Sequence, residues 1–225
     1  MSDISWIATA WGDAAAVRVA DDAPAAALPA IDPGEVLARL HPEERAAGAA
    51  LPIARRREWA AGRLALRAAI ERAGLALDAP IGADDRGAPR VGAGVIGSIS
   101  HKRGLAPAIA ARDDDGARLG LDLELDAPPK IDIERRVLTP AEREALTDPD
   151  RGRAVMLRFA IKEAIYKAID PFVRRYVGFQ EVELELRDQE AIVTSSLELA
   201  IEARWLRFHD CILALARARR LTRSP

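Results

Sequence analysis

Residues 56–70, RREWAAGRLALRAAI, and residues 157–169, LRFAIKEAIYKAI, decide the fold when read together. Trp59, Gly62, Arg63 and Arg67 have the same mutual spacing as Phe159, Lys162, Glu163 and Lys167, 100 residues later. Upstream of each, HPEER (41–45) and TPAER (139–143) stand 98 residues apart. Both read as helix starts with proline at the first helical position and acids in the first turn, and Thr139 and Glu142 are spaced as a capping box. Two landmarks recurring at nearly one distance imply an internal duplication.

After each long helix the pattern turns to short alternating or β-rich runs. After the first helix these are VIGSIS (95–100), LAPAIAA (105–111) and LGLDLEL (119–125); after the second VELEL, AIVTS, EARWLRF and CILALARA, between 182 and 218. The expected fold is α+β, a pseudo-two-fold pair of similar halves with mostly antiparallel strands. The polar turn RDDDGAR (112–118) suggests halves of residues 1–112 and 113–225. Residues 21–34, DDAPAAALPAIDPG, read as a loop or irregular arm, and ordered structure is expected to begin after it.

With 225 residues, 49% hydrophobic and 30% charged, the chain is in the globular range and long enough to bury a core. Its 33 basic and 35 acidic residues leave no global field to hold nucleic acid or an anionic membrane, so any anion site must be local. Neither a basic leader nor an apolar run of about 20 residues is present, and a cytoplasmic location is expected. Cys211, the single cysteine, lies in the apolar run CILALA and reads as core.

Three stretches could carry chemistry. In LGLDLELD (119–126), Asp122, Glu124 and Asp126 alternate with leucines, so a strand would point all three to one face. That face is either merely solvated, or a site for a hard cation such as Mg²⁺, which takes oxygen ligands. In the second long helix, Leu157, Ile161, Ala164, Ile165 and Ala168 form an apolar stripe, with Glu163 and Lys167 one turn apart on its flank. The bland alternative is an ordinary surface ion pair. In DRGAPRVGAGVIGSISHKRGL (85–105), a glycine-rich turn leads to Ser98, Ser100, His101, Lys102 and Arg103. This resembles an anion cradle, although neither a Walker loop nor a GxGxxG fingerprint is present, and a structural hairpin would read the same. His41 reads as a helix cap, His209 as a half-buried strand residue, and no spacing suits zinc.

The order of RRREWAAGRLALRAAI, GAPRVGAGVIGSISHKRG, LGLDLELD and FAIKEAIYKA, spanning residues 55–168, resembles the 4'-phosphopantetheinyl transferases of the Sfp type. The likeness is closest to the subgroup associated with enterobactin-like siderophore synthetases. It implies a Mg²⁺-dependent enzyme that moves the phosphopantetheine arm of coenzyme A onto a serine of an acyl or peptidyl carrier protein, releasing adenosine 3',5'-bisphosphate. It also implies two similar α+β halves with the active site in the cleft between them, in a monomer.

By that resemblance Asp122, Glu124 and Glu163 bind the metal, and Lys167 contacts phosphate. Ser100 and His101 meet the 3'-phosphate of coenzyme A, and Arg63 faces the nucleotide end. Phe159 stands where tryptophan is frequent, and Lys102 and Arg103 follow the Ser-His pair where one small residue is common. Lys102 or Arg103 would then supply the cation at the 3'-phosphate. Glu163 is the favoured general base, with a metal-bound water or Asp126 as alternatives. Arg151, Arg153, Arg158, Arg174 and Arg175 either form a carrier-docking surface or are solvated. The rival functions are a Mg²⁺-dependent nuclease or phosphodiesterase, whose usual ExK partner is absent after Asp122, and a non-catalytic carrier-binding module.

Overall fold

The computed structural model describes residues 3–19 and 24–221. The chain divides into two compact units between Asp114 and Asp115. The first holds strands β1 (Ser5–Thr9) and β2 (Gly12–Arg18), helices α1 (Pro33–Ala38), α2 (Pro42–Ala49) and α3 (Ile53–Arg72), and strands β3 (Gly82–Ala83), β4 (Pro89–Arg90), β5 (Val95–Ile99) and β6 (Leu105–Arg112). Its antiparallel sheet runs in the order β1-β2-β6-β5, and α3 lies on it.

Ordered structure therefore begins at Ser5, ahead of the expected start after residue 34. The β1–β2 hairpin escapes sequence reading because its second strand is GDAAAVR, and alanine is a poor strand former that shows no alternation. Burial decides it: Ala14, Ala15, Ala16 and Val17 are all buried. Of the segment expected as an arm, residues 21–23 lie outside the described residues. Its remainder includes a bridge from Ala30 to Arg18 and the cap of α1, where Asp32 accepts from Gly34 and Glu35.

The second unit holds β7 (Arg118–Leu125), α4 (Glu134–Val137), α5 (Pro140–Ala145), α6 (Arg151–Val173), a 3₁₀ turn (Phe179–Glu181), and β8 (Val182–Arg187), β9 (Glu190–Ser195), β10 (Leu199–Phe208) and β11 (Cys211–Arg220). The sheet order is β7-β11-β10-β9-β8, every pairing antiparallel, with α6 packed on it. Mixed helix and sheet in two units is the α+β architecture expected.

The duplication extends to caps. His41 and Thr139 each cap a helix, with Glu44 and Glu142 closing the boxes. Both glutamates are buried and do the same three things. Glu44 accepts from His41 N, Ile81 N and Arg67 Nε; Glu142 accepts from Thr139 N, Leu184 N and Lys162 Nζ. Each unit thus ties its capped short helix to its long helix and to a later segment through one carboxylate.

Two glycines let the long helices close on their sheets. A Cβ at Gly62 would stand 2.6 Å from Ile99 Cγ2, so α3 touches β5 there. A Cβ at Gly120 would stand 1.8 Å from Ala164 O and 2.8 Å from Ala168 N, so α6 lies with its backbone against β7. Cys211 is buried, and burial with the nearby Asp210 charge pushes its thiol up to about 12. His209 corrects its expectation: it is exposed in the two-residue turn between β10 and β11 with φ 54, because the strands end at Phe208 and Cys211. Among the described residues, no helix is long and apolar enough to cross a membrane.

Candidate active site

Gly120, Asp122 and Glu124 share one face of β7, since side chains alternate along a strand. Gly120 meets α6 directly, so that face is the one turned to the helix. Across the ladder these residues pair with Ala216, Ala214 and Ile212 of β11, and Ala214 leaves room beside Asp122. Asp122 is buried, and its Oδ1 accepts from Lys167 Nζ at 2.7 Å; the same ammonium donates to Leu121 O at 2.8 Å.

Glu163 lies one turn before Lys167 on α6 and is half-buried. Burial pushes its carboxyl above the ordinary range, the charges of Asp122 and Glu124 add to the rise, and Lys167 and Arg136 oppose it. Three carboxylates are therefore electrostatic neighbours. Among the described residues, however, no three His, Cys, Asp or Glu side chains gather closely enough to hold a metal ion. The positive charge that Asp122 faces is the Lys167 ammonium.

The third acid, Asp126, lies one residue beyond the strand. β7 ends at Leu125, Asp126 N donates to Asp210 O, and Asp126 Oδ2 accepts from Arg207 Nε at 2.8 Å. Asp126 is thus tied to β10 through Arg207, which pairs with Ile212 in the same row as Glu124 and so keeps Asp126 on the α6 side of the sheet.

In the first unit Arg63 is buried on α3. Its guanidinium lies 3.6 Å over the Trp59 ring, and its Nε donates to Ile81 O at 3.3 Å. Burial lowers it to about 10, with the Glu44 charge holding it up, so it stays cationic at neutral pH. Ser98 and Ser100 are both buried. Gly97 and Ile99 face α3, so the alternation turns both serines to the other side of β5. His101 faces α3, where its Nδ1 stands 3.0 Å from Glu58 Oε2. The adjoining Ser100 and His101 therefore look in opposite directions. Lys102 and Leu105 exchange backbone hydrogen bonds across a two-residue turn in which Arg103 and Gly104 have φ 48 and 83. Glu58 also accepts from Gly104 N at 3.1 Å, which fastens that turn to α3.

Comparison with known proteins follows the same halves. The model of the 4'-phosphopantetheinyl transferase N-terminal domain matches residues 42–111, and that of the 4'-phosphopantetheinyl transferase superfamily matches residues 118–216. The 4'-phosphopantetheinyl transferase Svp of Streptomyces mobaraensis is 34% identical over 169 residues, which cover 73% of this chain and 68% of that protein. The chain belongs to the 4'-phosphopantetheinyl transferases. The transferase Npt of Nocardia iowensis is 34% identical over 156 residues, 68% of this chain and 70% of its own. The transferase PptT of Mycobacterium tuberculosis is 31% identical over 145 residues, 64% of this chain and 63% of its own.

Other side chains of this transferase bear on the site without a sequence signal. Glu58 precedes Trp59 in a helix rich in charge, and nothing in its spacing marks it as the partner of His101. Arg136 lies in α4, outside every motif, yet its charge acts on Glu163. The arginines considered for docking are largely engaged locally: Arg151 with Glu134, Arg153 with Asp150, and Arg175 with Glu181. Arg158 is half-buried and donates to Ala154 O, and Arg174 is the left-handed cap of α6.

Proposed function

We infer that this transferase moves the 4'-phosphopantetheine arm of coenzyme A to a serine of an acyl or peptidyl carrier protein, releasing adenosine 3',5'-bisphosphate. The observation that carries the chemistry is the convergence of Asp122, Glu163 and Lys167, with Glu163 pushed above the ordinary carboxyl range by burial and by its acidic neighbours. A carboxylate with raised proton affinity suits general-base work near neutral pH. In this reading the serine oxygen attacks the β-phosphorus, its proton passes to a Glu163 oxygen, and the bond to the bisphosphate breaks. Lys167, already bound to Asp122, supplies positive charge beside the carboxylates where phosphate charge accumulates.

The donor chemistry suits magnesium, oxygen ligands only with mutual repulsion that a hard cation relieves, although the three side chains would have to draw closer together than they stand here to hold it. Asp122, Glu124 and Glu163 would hold it, and bound there it would neutralise the diphosphate. Arg63, Ser100, His101 and Lys102 are assigned to the nucleotide end. Arg63 supports this as a cation kept buried on α3, while His101 would first have to share Glu58. We assign the chain to the Sfp type and to peptide siderophore synthesis in the cytoplasm, acting as a monomer without nucleic acid or membrane as partner; the motifs from 55 to 168 support this.

The test is incubation with coenzyme A, Mg²⁺ and a panel of apo carrier domains, read by mass. Addition of the arm is expected with the unaltered protein. Glu163→Ala should abolish it while the circular dichroism spectrum is kept, and normal turnover by that variant at saturating Mg²⁺ would refute the role of Glu163.

A further inference from the structure

Lys162 precedes Glu163 on α6, and its side chain is 1% exposed, as is that of its partner Glu142. Its ammonium has three hydrogens, and three acceptors take them: Glu142 Oε2 at 2.7 Å, Val137 O at 2.9 Å and Phe179 O at 3.0 Å. The acceptors belong to α5, to the end of α4 and to the 3₁₀ turn. Glu142 is itself fixed, since Thr139 N and Leu184 N donate to its two oxygens at 2.7 and 3.0 Å. One charged atom therefore pins α6 to three separate elements, and it does so one residue from Glu163.

We propose that Lys162 is a positioning residue for the transfer reaction: through Glu142, Val137 O and Phe179 O it fixes the rotation of α6 and so aims Glu163 at the acidic face of β7. The geometry follows from the helix. Neighbouring residues stand about 100° apart around the axis, so any turn of α6 that relaxes Lys162 swings Glu163 and Lys167 with it. A buried ion pair is poor value as a source of stability, because well-packed apolar groups commonly do as well. What a fully satisfied ammonium gives that apolar groups do not is a single permitted orientation. The equivalent tie in the first unit, Arg67 to Glu44, holds a helix whose next residue is Ala68, so folding alone accounts for that one. In the second unit the next residue is the one on which the proposed chemistry turns.

This rests on the transfer reaction inferred above, and the two fail separately. The double substitution Lys162→Met with Glu142→Gln removes both charges together and keeps an acceptor for the α5 cap. Lys162→Arg keeps the charge but replaces three radiating hydrogens by a planar fork. Each is expected to keep its fold and its KM for coenzyme A within about two-fold while kcat falls by about 100-fold, the scale of a misplacement near 1 Å. A crystal structure of the double variant should show the Glu163 carboxylate turned away from Asp122. A folded variant of either kind with the kcat of the unaltered enzyme overturns the proposal, as does equal loss in KM and none in kcat. Absence of transfer by the unaltered enzyme would instead sink the inferred reaction.

Discussion

Gly120 shows what a single missing side chain can do for a site. A methyl group there would overlap the Ala164 carbonyl, which is backbone and has no rotamer to change, so α6 would have to lift off β7. Overpacking of this kind costs about 3 kcal/mol, and the lift would also part Lys167 from Asp122. Gly120→Ala should therefore lower the urea midpoint and end transfer together; a variant with full activity would show that α6 need not lie on the strand. Glu163 makes the opposite trade. Its carboxyl is raised above the ordinary 4.5 on folding, so protonation favours the folded state below that value, and the contribution is lost as pH rises through the folded value. Glu163→Gln, neutral throughout, should accordingly unfold at a higher temperature than the parent near neutral pH. The difference should vanish in mild acid, and calorimetry at the two pH values reads it. The motif residues themselves were legible, because GxDxE and KExxxK state residue type and spacing directly. Their immediate partners were not: Glu58, Arg136 and Glu142 reach His101, Glu163 and Lys162 only through packing of elements far apart in sequence.

At the scale of elements, the repeated helix starts carried the most information. HPEER and TPAER predicted two caps, and both formed, each with its glutamate buried. Capping is local, so four or five residues suffice to announce it. What the local pattern could not announce is that each glutamate also holds the long helix, since that bond spans 23 residues in one unit and 20 in the other. Nor does the pairing follow the 100-residue offset: Arg67 aligns with Lys167, whereas the side chain doing its structural work in the second unit is Lys162. In α6 the anchor lies five residues earlier, and Lys167 binds Asp122 instead. Thr139→Ala should remove one cap bond from α5 and one hydroxyl donor to Glu183, lowering stability by about 1 kcal/mol. A urea titration checks this, and no change in midpoint would show that the cap is redundant. The β1–β2 hairpin was missed for the converse reason, as its alanines are made into strand by the sheet they join rather than by their own preference.

For the molecule as a whole, 33 basic and 35 acidic residues leave little net charge, and several of the arginines sit in local ion pairs. Arg151, Arg153 and Arg175 each meet an acid nearby, so a broad basic face is not built from them. What each unit has instead is a core under its long helix, α3 in one and α6 in the other. Cys211 offers a way to watch the second unit open from the other face of its sheet. It begins β11, the strand that joins β7 to β10, and its thiol is fully covered and pushed up to about 12 by burial and by Asp210. Both factors act against attack: the thiolate is the nucleophile, and little of it exists near pH 8. Cys211 alternates with Ile212, so it lies on the face of the sheet turned away from α6, and labelling requires that covered face to open. An aromatic disulfide reagent should therefore label no thiol in the native protein over minutes and one per chain in concentrated guanidinium chloride. Across a denaturant series, the labelling rate should rise in step with the loss of helical circular dichroism. Rapid labelling without denaturant would mean that the face of the sheet opposite α6 opens in the native protein while the ladder and α6 persist.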